Sequence, residues 1–313
     1  MNNIIFSIVM PAYKKKFLKE SISSILAQTY QDFEFIIVDD ASPDNIKEVV
    51  DSFHDSRIQF KTNRNNIGGR NLVENWNHCI QFAHYDYIIL ATDDDIFEST
   101  YLQDAKDLLS KYPEVNILRT GVRLIDEYNN IRDYEYPLKE YMTCKEFTQL
   151  WSKGGLHSCI SNYIFKRKEL MSKGGFIDFP HAHYSDDATI LAMSRNGIIN
   201  TSKANFNFRI SSISLSYSSN YKIALSQIQA TESFMFWYMN HLNIVFGTQH
   251  NDFLKNNSYE FFRNRYKTMI GILISKIPLR KFDKTISVLY KAPQLYKKEK
   301  LLLFINNLIN KIL

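Results

Sequence analysis

The sequence predicts an α/β fold: a mostly parallel, Rossmann-like sheet flanked by helices, with a helical C-terminal extension. Over residues 1–125, short apolar runs alternate with segments of helical periodicity, a pattern typical of parallel strands buried on both faces. Two of these strands end directly on acidic clusters. Because ligands bind beyond the carboxyl ends of parallel strands, both clusters are expected to face one crevice. No G-x-G-x-x-G sequence follows the first strand, which disfavours a nicotinamide enzyme.

The predicted elements follow one another along the chain. Each predicted strand is an apolar run bounded by turn residues, at 4–10, 33–38, 57–61, 85–91 and 115–124. Each predicted helix repeats apolar residues every three or four positions, at 17–27, 43–53, 68–83 and 99–111. Ser42, Asp44 or Asp40 is expected to cap the second helix. Residues 125–215 are less regular, and the chain is helical from about residue 221.

Composition bounds the class of protein. The chain has 313 residues, of which 45% are hydrophobic and 23% charged, so it is expected to form one large domain, alone or with an appendage, rather than a disordered chain. Cys79, Cys144 and Cys159 lack paired spacing and predict neither a disulfide framework nor a zinc site, which favours a reducing cytoplasm. The apolar run at 4–10 is too short for a signal peptide or a spanning helix.

The net charge of +5 is unevenly distributed. Residues 255–313 hold 13 Lys and Arg against 3 Asp and Glu, whereas residues 1–254 hold 25 against 30. The positive charge therefore belongs to the C-terminal region, which argues against a nucleic-acid binder. Basic amphipathic helices bind anionic membrane surfaces, so peripheral membrane contact through 255–313 is one expectation. A helical region with a solvated basic face that packs on the catalytic body is the alternative.

Two acidic strand ends carry the chemical signal. Asp93, Asp94 and Asp95 are adjacent carboxylates that repel one another and lose solvation, a conflict that a divalent cation relieves. Mg²⁺ is typically held by one or two carboxylates and substrate phosphates; a solvated acidic turn is the alternative. Asp39 and Asp40 repeat the pattern one strand away. Two acidic strand ends in one crevice favour a sugar-nucleotide site.

Arg70 is the candidate cation for the phosphates of such a ligand. It follows Gly68-Gly69 at a predicted helix start, where a positive charge is electrostatically unfavourable. An arginine at this place favours phosphate recognition. A surface arginine without a ligand is the alternative.

Five sequence blocks occur in one order: Ser7–Tyr13 (SIVMPAY), Ser23–Tyr30 (SSILAQTY), Asp32–Glu34 (DFE), Val38–Ser42 (VDDAS) and Ala91–Asp95 (ATDDD). Together they resemble the family 2 glycosyltransferases of GT-A fold, over 1–125 and less closely to about residue 215. The resemblance implies a GT-A catalytic domain at 1–215, with a nucleotide-sugar-binding half at 1–125 and an acceptor-binding half at 126–215. Residues 216–313 would then form the basic helical region.

The resemblance also implies roles for single residues. Pro11, Ala12 and Tyr13 match the loop that lines the nucleotide base. Asp39 matches the carboxylate that hydrogen-bonds uracil, and Arg70 falls where the family has an arginine that contacts the base or the diphosphate.

The acidic residues further along the chain also match the family. Asp93 corresponds to the ribose contact, whereas Asp94, together with Asp95, corresponds to the metal ligands. Asp187 matches the general base, and its neighbour Asp186 is a weaker acceptor-side candidate, as are His157 and His183, single histidines that more often belong to a loop or surface.

Three departures from the family pattern limit the assignment. Thr92 stands where many members have the first Asp of Asp-x-Asp-Asp. Arg209-Ile210-Ser211 stands where members often have Arg-x-His, so a phosphate or metal contact from that histidine is not expected. A Gln-x-x-Arg-Trp sequence is absent, which argues against a processive synthase.

The resemblance thus implies an inverting, metal-dependent, non-processive glycosyltransferase. Its donor is expected to be a UDP-sugar, its cofactor Mn²⁺ or Mg²⁺, and its acceptor a glycan, lipid-diphosphate-linked, in bacterial surface polysaccharide synthesis such as O-antigen or capsule. The expected location is cytoplasmic, at the inner face of the cytoplasmic membrane. The alternatives are a nucleotidyltransferase and a non-catalytic module that binds a nucleotide-sugar or glycan.

Overall fold

The computed structural model describes residues 4–154, 156–211, 221–248, 252–292 and 295–312. The strands among these residues are β1 Phe6–Ala12, β2 Phe33–Asp39, β3 Ile58–Thr62, β4 Tyr87–Leu90, β5 Ile96–Phe97, β6 Ile117–Ile125, β7 Ile131–Tyr134, β8 Tyr141–Met142, β9 Tyr163–Lys166 and β10 Ile198–Arg209. The helices are α1 Leu18–Leu26, α2 Ile46–Asp51, α3 Leu72–Cys79, α4 Tyr101–Lys111, α5 Cys144–Lys153, α6 Arg167–Ser172, α7 Ser185–Met193, α8 Tyr221–Phe246, α9 Phe253–Ser275, α10 Phe282–Lys291 and α11 Lys297–Ile312.

The strands form one mixed, mostly parallel sheet. Their order is β3-β2-β1-β4-β9-β6-β10-β5, with β7 beside β6 and β8 beside β10. The block from β3 to β4 is parallel, and so are β6 and β10. β9 runs antiparallel between β4 and β6. The predicted α/β fold with a mostly parallel sheet is confirmed, whereas the antiparallel strands come from the irregular middle of the sequence.

The sheet brings the carboxyl ends of β1, β2 and β4 together. β1 lies between β2 and β4, with Ala12 opposite Asp39 and Val9 opposite Leu90. The chain order reverses at this point of the sheet, and such a switch point opens a crevice beyond the strand ends. The β1 residues Ile8, Val9 and Met10 are fully buried, as expected for a strand with helices on both faces.

Two predicted helix starts are corrected. α2 is capped by Asn45, whose side chain accepts the Glu48 N–H, and not by Ser42, Asp44 or Asp40. α3 begins at Leu72 rather than at Gly68, because the Asn71 side chain accepts the N–H groups of Val73 and Glu74 and so fixes the first turn. Residues 68–70 therefore form a loop before the helix.

The chain divides into two units. Among the described residues, the first contains 4–147, 156–178 and 185–211, and the second contains 148–154, 179–184 and the described residues beyond 220. The predicted domain boundary between residues 215 and 216 lies outside the described residues. No helix of the described ranges is long and apolar enough to cross a bilayer.

The core of the second unit is aromatic. The Trp151 ring stacks on Phe262 at 5.3 Å between centroids and lies 5.4 Å from Phe234. Both phenylalanines are fully buried. Phe234 of α8 and Phe262 of α9 thus pack in this core, whereas Phe236 of α8 and Phe253 of α9 are exposed.

Candidate functional site

The loop after β1 and the acidic turn after β4 are joined by hydrogen bonds. One carboxylate oxygen of Asp93 accepts the backbone N–H groups of Tyr13 and Lys14, at 2.8 and 2.7 Å. Pro11 and Ala12, predicted to belong to this loop, are the last residues of β1, half-buried and buried respectively, and Tyr13, the first residue beyond the strand, is 40% exposed. The structure therefore brings the predicted base loop against the predicted ribose-contacting carboxylate, with the Tyr13 ring open to solvent.

Asp95 lies on the buried side of the acidic turn. It is 1% exposed. One of its oxygens accepts the Arg209 backbone N–H at 2.8 Å, and the other accepts the Thr92 hydroxyl. Thr92 thus provides a hydroxyl donor to the carboxylate three residues later.

Arg209 supports the acidic turn from the protein interior. Its side chain is fully buried, and its Nε donates to the Asp94 carbonyl at 2.7 Å. The guanidinium also pairs with Glu20 at 2.8 Å and lies 4.2 Å from the centre of the Phe17 ring. Through its bond to the Asp94 carbonyl, the buried Arg209 side chain fixes the backbone of the turn.

The three carboxylates of the turn are strained electrostatically. Burial raises the pKa of Asp93 and raises the pKa of Asp95 well above its usual value. Burial and the charge of Asp93 raise the pKa of Asp94 to about 6. Each raised pKa means that the ionised carboxylate is disfavoured at its position in the turn. A bound cation would stabilise the ionised form and so remove this penalty.

The donor set fits a divalent cation with Asp94 as its protein ligand. Both oxygens of Asp95 and one oxygen of Asp93 are already bonded to N–H or O–H groups. Within the described ranges, no cluster of three or more His, Cys, Asp or Glu side chains is arranged to hold a metal ion. A cation here would take its other ligands from phosphates and water, as Mg²⁺ commonly does.

Asp39 and Asp40, at the carboxyl end of β2, point in opposite directions. The Asp39 carboxylate accepts the Ser42 N–H at 2.9 Å, and the Ser42 hydroxyl donates to the Tyr13 carbonyl at 2.5 Å. Asp39 therefore lies beside the β1 loop, where the resemblance places the uracil contact. Asp40 points the other way and is 3% exposed.

Asp40 organises the loop that precedes α3. One of its oxygens accepts the Ile67 N–H at 2.9 Å and the Asn63 amide at 2.8 Å, and the other accepts the Gly68 N–H at 2.7 Å. A Cβ at position 68 would lie 2.9 Å from that second oxygen, so glycine permits the approach. This loop ends at Arg70, whose exposed side chain pairs with Glu74 at 2.5 Å.

The predicted base lies in the first turn of α7. The Asp187 N–H donates to the Asp186 carboxylate at 2.9 Å. Burial and the charge of Asp187 raise the pKa of Asp186 to about 7. Burial raises the pKa of the Cys159 thiol, and the charges of Asp95 and Asp186 both add to the shift. The thiol of Cys159 therefore lies within electrostatic reach of both Asp95 and Asp186.

The two candidate histidines fall in different units. His157 belongs to the first unit: its ring lies 3.0 Å from the Asp133 carboxylate, and its N–H donates to Glu135 at 2.6 Å. His183 belongs to the second unit. Its ring packs on Tyr184 with centroids 4.4 Å apart, and burial lowers its pKa to about 4.

Two residues of the site have roles that sequence patterns did not indicate. The sequence offered Asp40 as a helix cap and left Arg209 without a partner, because their partners are distant in the chain. For Asp40, the Gly68-Gly69 pair was the available signal, since paired glycines often mark a close backbone approach.

Comparison with known proteins gives a family match. The model of the family described as "Glycosyl transferase family 2" matches residues 7–175, more than half of the chain. The UDP-Glc:alpha-D-GlcNAc-diphosphoundecaprenol beta-1,3-glucosyltransferase WfgD of Escherichia coli is 35% identical over 107 residues, covering 33% of this chain and 40% of WfgD. The first curated relatives are matched over only 44% to 50% of their lengths.

Solved structures share the fold over nearly the whole chain. S. aureus TarS 1–349 in complex with UDP-GlcNAc superposes with a TM-score of 0.63 at 16% identity, covering 99% of this chain and 88% of that one. The mannosyltransferase PcManGT of Pyrobaculum calidifontis, in complex with GDP-Man and Mn²⁺, gives a TM-score of 0.52 at 13% identity, covering 98% and 86%. At these identities the likeness establishes the architecture alone.

Proposed function

Because this chain belongs to glycosyl transferase family 2, and is thus a glycosyltransferase, we propose that it moves a sugar from a UDP-sugar to a hydroxyl of a glycan acceptor, with inversion and one sugar per encounter. The observation that carries the proposal is the pair of hydrogen bonds from the β1 loop to Asp93. They join the base loop and the acidic turn into one edge of the crevice, as a ligand with a base at one end and a diphosphate at the other requires.

The nucleoside would lie along the β1 loop. Asp39 offers its second oxygen to the uracil N–H, while Pro11, Ala12 and the exposed Tyr13 ring line the base. Asp93, held by the loop, faces the ribose hydroxyls, and Arg70 contacts the diphosphate from the loop before α3. TarS binds UDP-GlcNAc and PcManGT binds GDP-Man, so these neighbours support a nucleotide-sugar donor for this fold.

Asp94 would hold the divalent cation, Mn²⁺ or Mg²⁺, and Asp95 would position the turn. When bound, the cation neutralises charge on the leaving diphosphate. The sequence pattern predicts both Asp94 and Asp95 as metal ligands; we assign the direct contact to Asp94 because both oxygens of Asp95 accept hydrogen bonds within the protein. The presence of Mn²⁺ in PcManGT supports a cation in this fold.

Asp187 would act as the general base. It accepts the proton of the acceptor hydroxyl as that oxygen attacks the anomeric carbon, so the sugar–phosphate bond breaks with inversion. The charge of Asp187 contributes to the raised pKa of the neighbouring Asp186. If Asp187→Asn kept near-normal transfer at saturating substrates, this assignment would be wrong.

The acceptor would be a lipid-diphosphate-linked glycan of a bacterial surface polysaccharide. The relative WfgD, by its name, acts on a sugar linked to diphosphoundecaprenol. Its acceptor class supports our proposal of a lipid-linked acceptor for this chain. His157 and Asp186 stay candidates for acceptor contact in the first unit, and His183 a candidate in the second. Such an acceptor would place the enzyme at the cytoplasmic face of a membrane, a location that the basic C-terminal helices support.

A donor panel tests the function without knowledge of the acceptor. Purified protein is incubated with UDP-, GDP- and dTDP-sugars and with Mn²⁺ or Mg²⁺, and release of nucleoside diphosphate by slow hydrolysis is measured. We expect one UDP-sugar to be hydrolysed in the presence of the cation. Release of pyrophosphate from a nucleoside triphosphate would instead indicate a nucleotidyltransferase, and UDP binding without turnover would indicate a binding module.

A further inference from the structure

Helix α11 presents aliphatic side chains to solvent. Lys297, Lys298, Leu301, Leu302 and Ile305 are all exposed, and their spacing places them along one face of the helix. The three aliphatic side chains are 57%, 44% and 39% exposed. An amphipathic helix of a globular protein normally turns such residues inward. We call these five residues the α11 strip.

Polar contacts fix α11 in this orientation. Glu299, the acidic residue of the first turn, points inward and pairs with Arg263 at 2.7 Å and with Lys267 at 3.3 Å. It also accepts the Tyr296 N–H at 2.9 Å. Further along, Phe304 packs on Phe282 with ring centroids 5.1 Å apart. The inward face therefore holds the negative charge, and the outward face is left with lysines and aliphatic groups.

The neighbouring helix end adds exposed aromatic groups. Tyr290 and Tyr296 are 83% and 65% exposed. Lys300 donates to the Tyr290 carbonyl at 3.0 Å, so the end of α10 lies beside the first turns of α11. Exposed tyrosines next to lysines and aliphatic side chains have the composition of protein surfaces at the interface of a bilayer.

We propose that the α11 strip docks the enzyme on an anionic lipid bilayer. Lysines attract anionic headgroups, and aliphatic side chains on the same face enter the boundary with the acyl chains. The strip carries positive charge and no acidic residue, so a second copy of this chain in a symmetric contact would bring like charges together. The reason for membrane docking rests on the proposed lipid-linked acceptor. The location of the docking surface rests on the geometry of α11.

Vesicle binding by the full chain tests the assignment. Sedimentation is measured with vesicles of phosphatidylcholine alone and with vesicles that contain about one third phosphatidylglycerol. We expect at least about tenfold tighter binding to the anionic vesicles at low salt. The triple variant Leu301→Ser, Leu302→Ser, Ile305→Ser should lose about tenfold or more of this affinity, and Lys297→Glu with Lys298→Glu should lose the preference for anionic lipid.

A matched control comes from α8. Phe236 and Ile244 are 74% and 59% exposed in the same unit, and Phe236→Ser with Ile244→Ser should leave vesicle binding unchanged. Equal binding by the triple variant and wild type would overturn the proposal, as would a wild-type dimer that the triple variant converts to monomer while vesicle binding stays the same. Hydrolysis of the donor in solution should be unchanged in the triple variant. If no donor is hydrolysed even by wild type, the proposed function fails and the vesicle result still decides the docking surface.

Discussion

Replacing Asp40 by Asn tests whether this carboxylate positions the loop that carries Arg70. Its two oxygens accept three N–H groups, from Ile67, Asn63 and Gly68, at 2.7 to 2.9 Å. An asparagine amide has one acceptor oxygen and turns an NH₂ group toward the remaining donor. At least one of these buried or half-buried donors therefore loses its partner, and the other bonds lose the charge of their acceptor.

The expected loss of stability follows from these contacts. A hydrogen bond to a charged group contributes about 1.5–3 kcal/mol, and a buried donor left without a partner costs about 1–3 kcal/mol. We expect Asp40→Asn to lower the free energy of unfolding by about 2–4 kcal/mol. If the loop relaxes as a result, Arg70 moves away from its proposed diphosphate contact, and the Kd for UDP should rise about tenfold, which corresponds to ~1.4 kcal/mol.

Glu34→Gln is the matched control. Glu34 is buried near the start of β2, whereas Asp40 directly follows its end, and the Glu34 carboxylate accepts from Ser7, Gln59 and His84 at 2.6 to 2.9 Å. Thermal unfolding and calorimetric titration with UDP are measured for both variants. We expect both to lower the Tm by several degrees, and only Asp40→Asn to weaken UDP binding.

The result that refutes this account is loss of stability without loss of UDP affinity in Asp40→Asn. A double-mutant cycle adds a second readout that general destabilisation does not move. Arg70→Ala should weaken UDP binding in the wild-type background and add less than about twofold in the Asp40→Asn background. Independent, additive effects would show that Asp40 and Arg70 act separately.

Three further outcomes are expected at the acidic residues and their support. Asp94→Asn should abolish the increase in UDP affinity caused by Mn²⁺, measured by calorimetry, whereas Asp95→Asn should chiefly lower stability, by about 1–3 kcal/mol; the reverse pattern would exchange their roles. Burial and the charge of Asp187 raise the pKa of Asp186 from 3.8 to about 7, so its favourable contribution is present below pH 4 and is lost as the pH rises through 7. Asp186→Asn should therefore raise the Tm of the metal-free protein by a few degrees at pH 8 and not at pH 4, and an equal shift at both pH values would contradict the assignment. Arg209→Lys should lower stability by about 2–4 kcal/mol, because lysine cannot bond Asp94 and Glu20 together; unchanged thermal unfolding would count against the buried network.

The sequence predicts the first half of the fold well, because its strands are continuous apolar runs that only a buried parallel sheet accommodates. Ile8, Val9 and Met10 lie at the centre of the sheet as the apolar run indicates. β9 was missed because Tyr163–Lys166 is a four-residue strand without a distinguishing period. Tertiary pairing with β4 and β6, and not local propensity, makes it a strand.

The candidate site, too, is predicted from the sequence in part and missed in part. Local motifs place Tyr13, Asp39 and Asp93 on neighbouring strand ends, and the structure puts them side by side. What local motifs do not give is the orientation of each carboxylate: Asp39 faces the β1 loop, while Asp40 turns to the loop before α3. Orientation depends on partners tens of residues away, and a single sequence carries no record of those contacts.

The buried guanidinium of Arg209 has a consequence for how the protein acquires its shape. It joins the Asp94–Asp95 turn across 114 residues of chain and joins α1 across 189. Contacts of such long sequence separation form late, because the chain entropy of closing the intervening loop opposes them. During synthesis, residues 93–95 leave the ribosome long before the residue that secures them. We expect the acidic turn of a nascent chain to stay unsecured until β10 has joined the sheet. Hydrogen exchange at the amides of this turn, measured on stalled chains, can follow this step. β10, the last of the described strands along the chain, therefore determines when the proposed donor site forms.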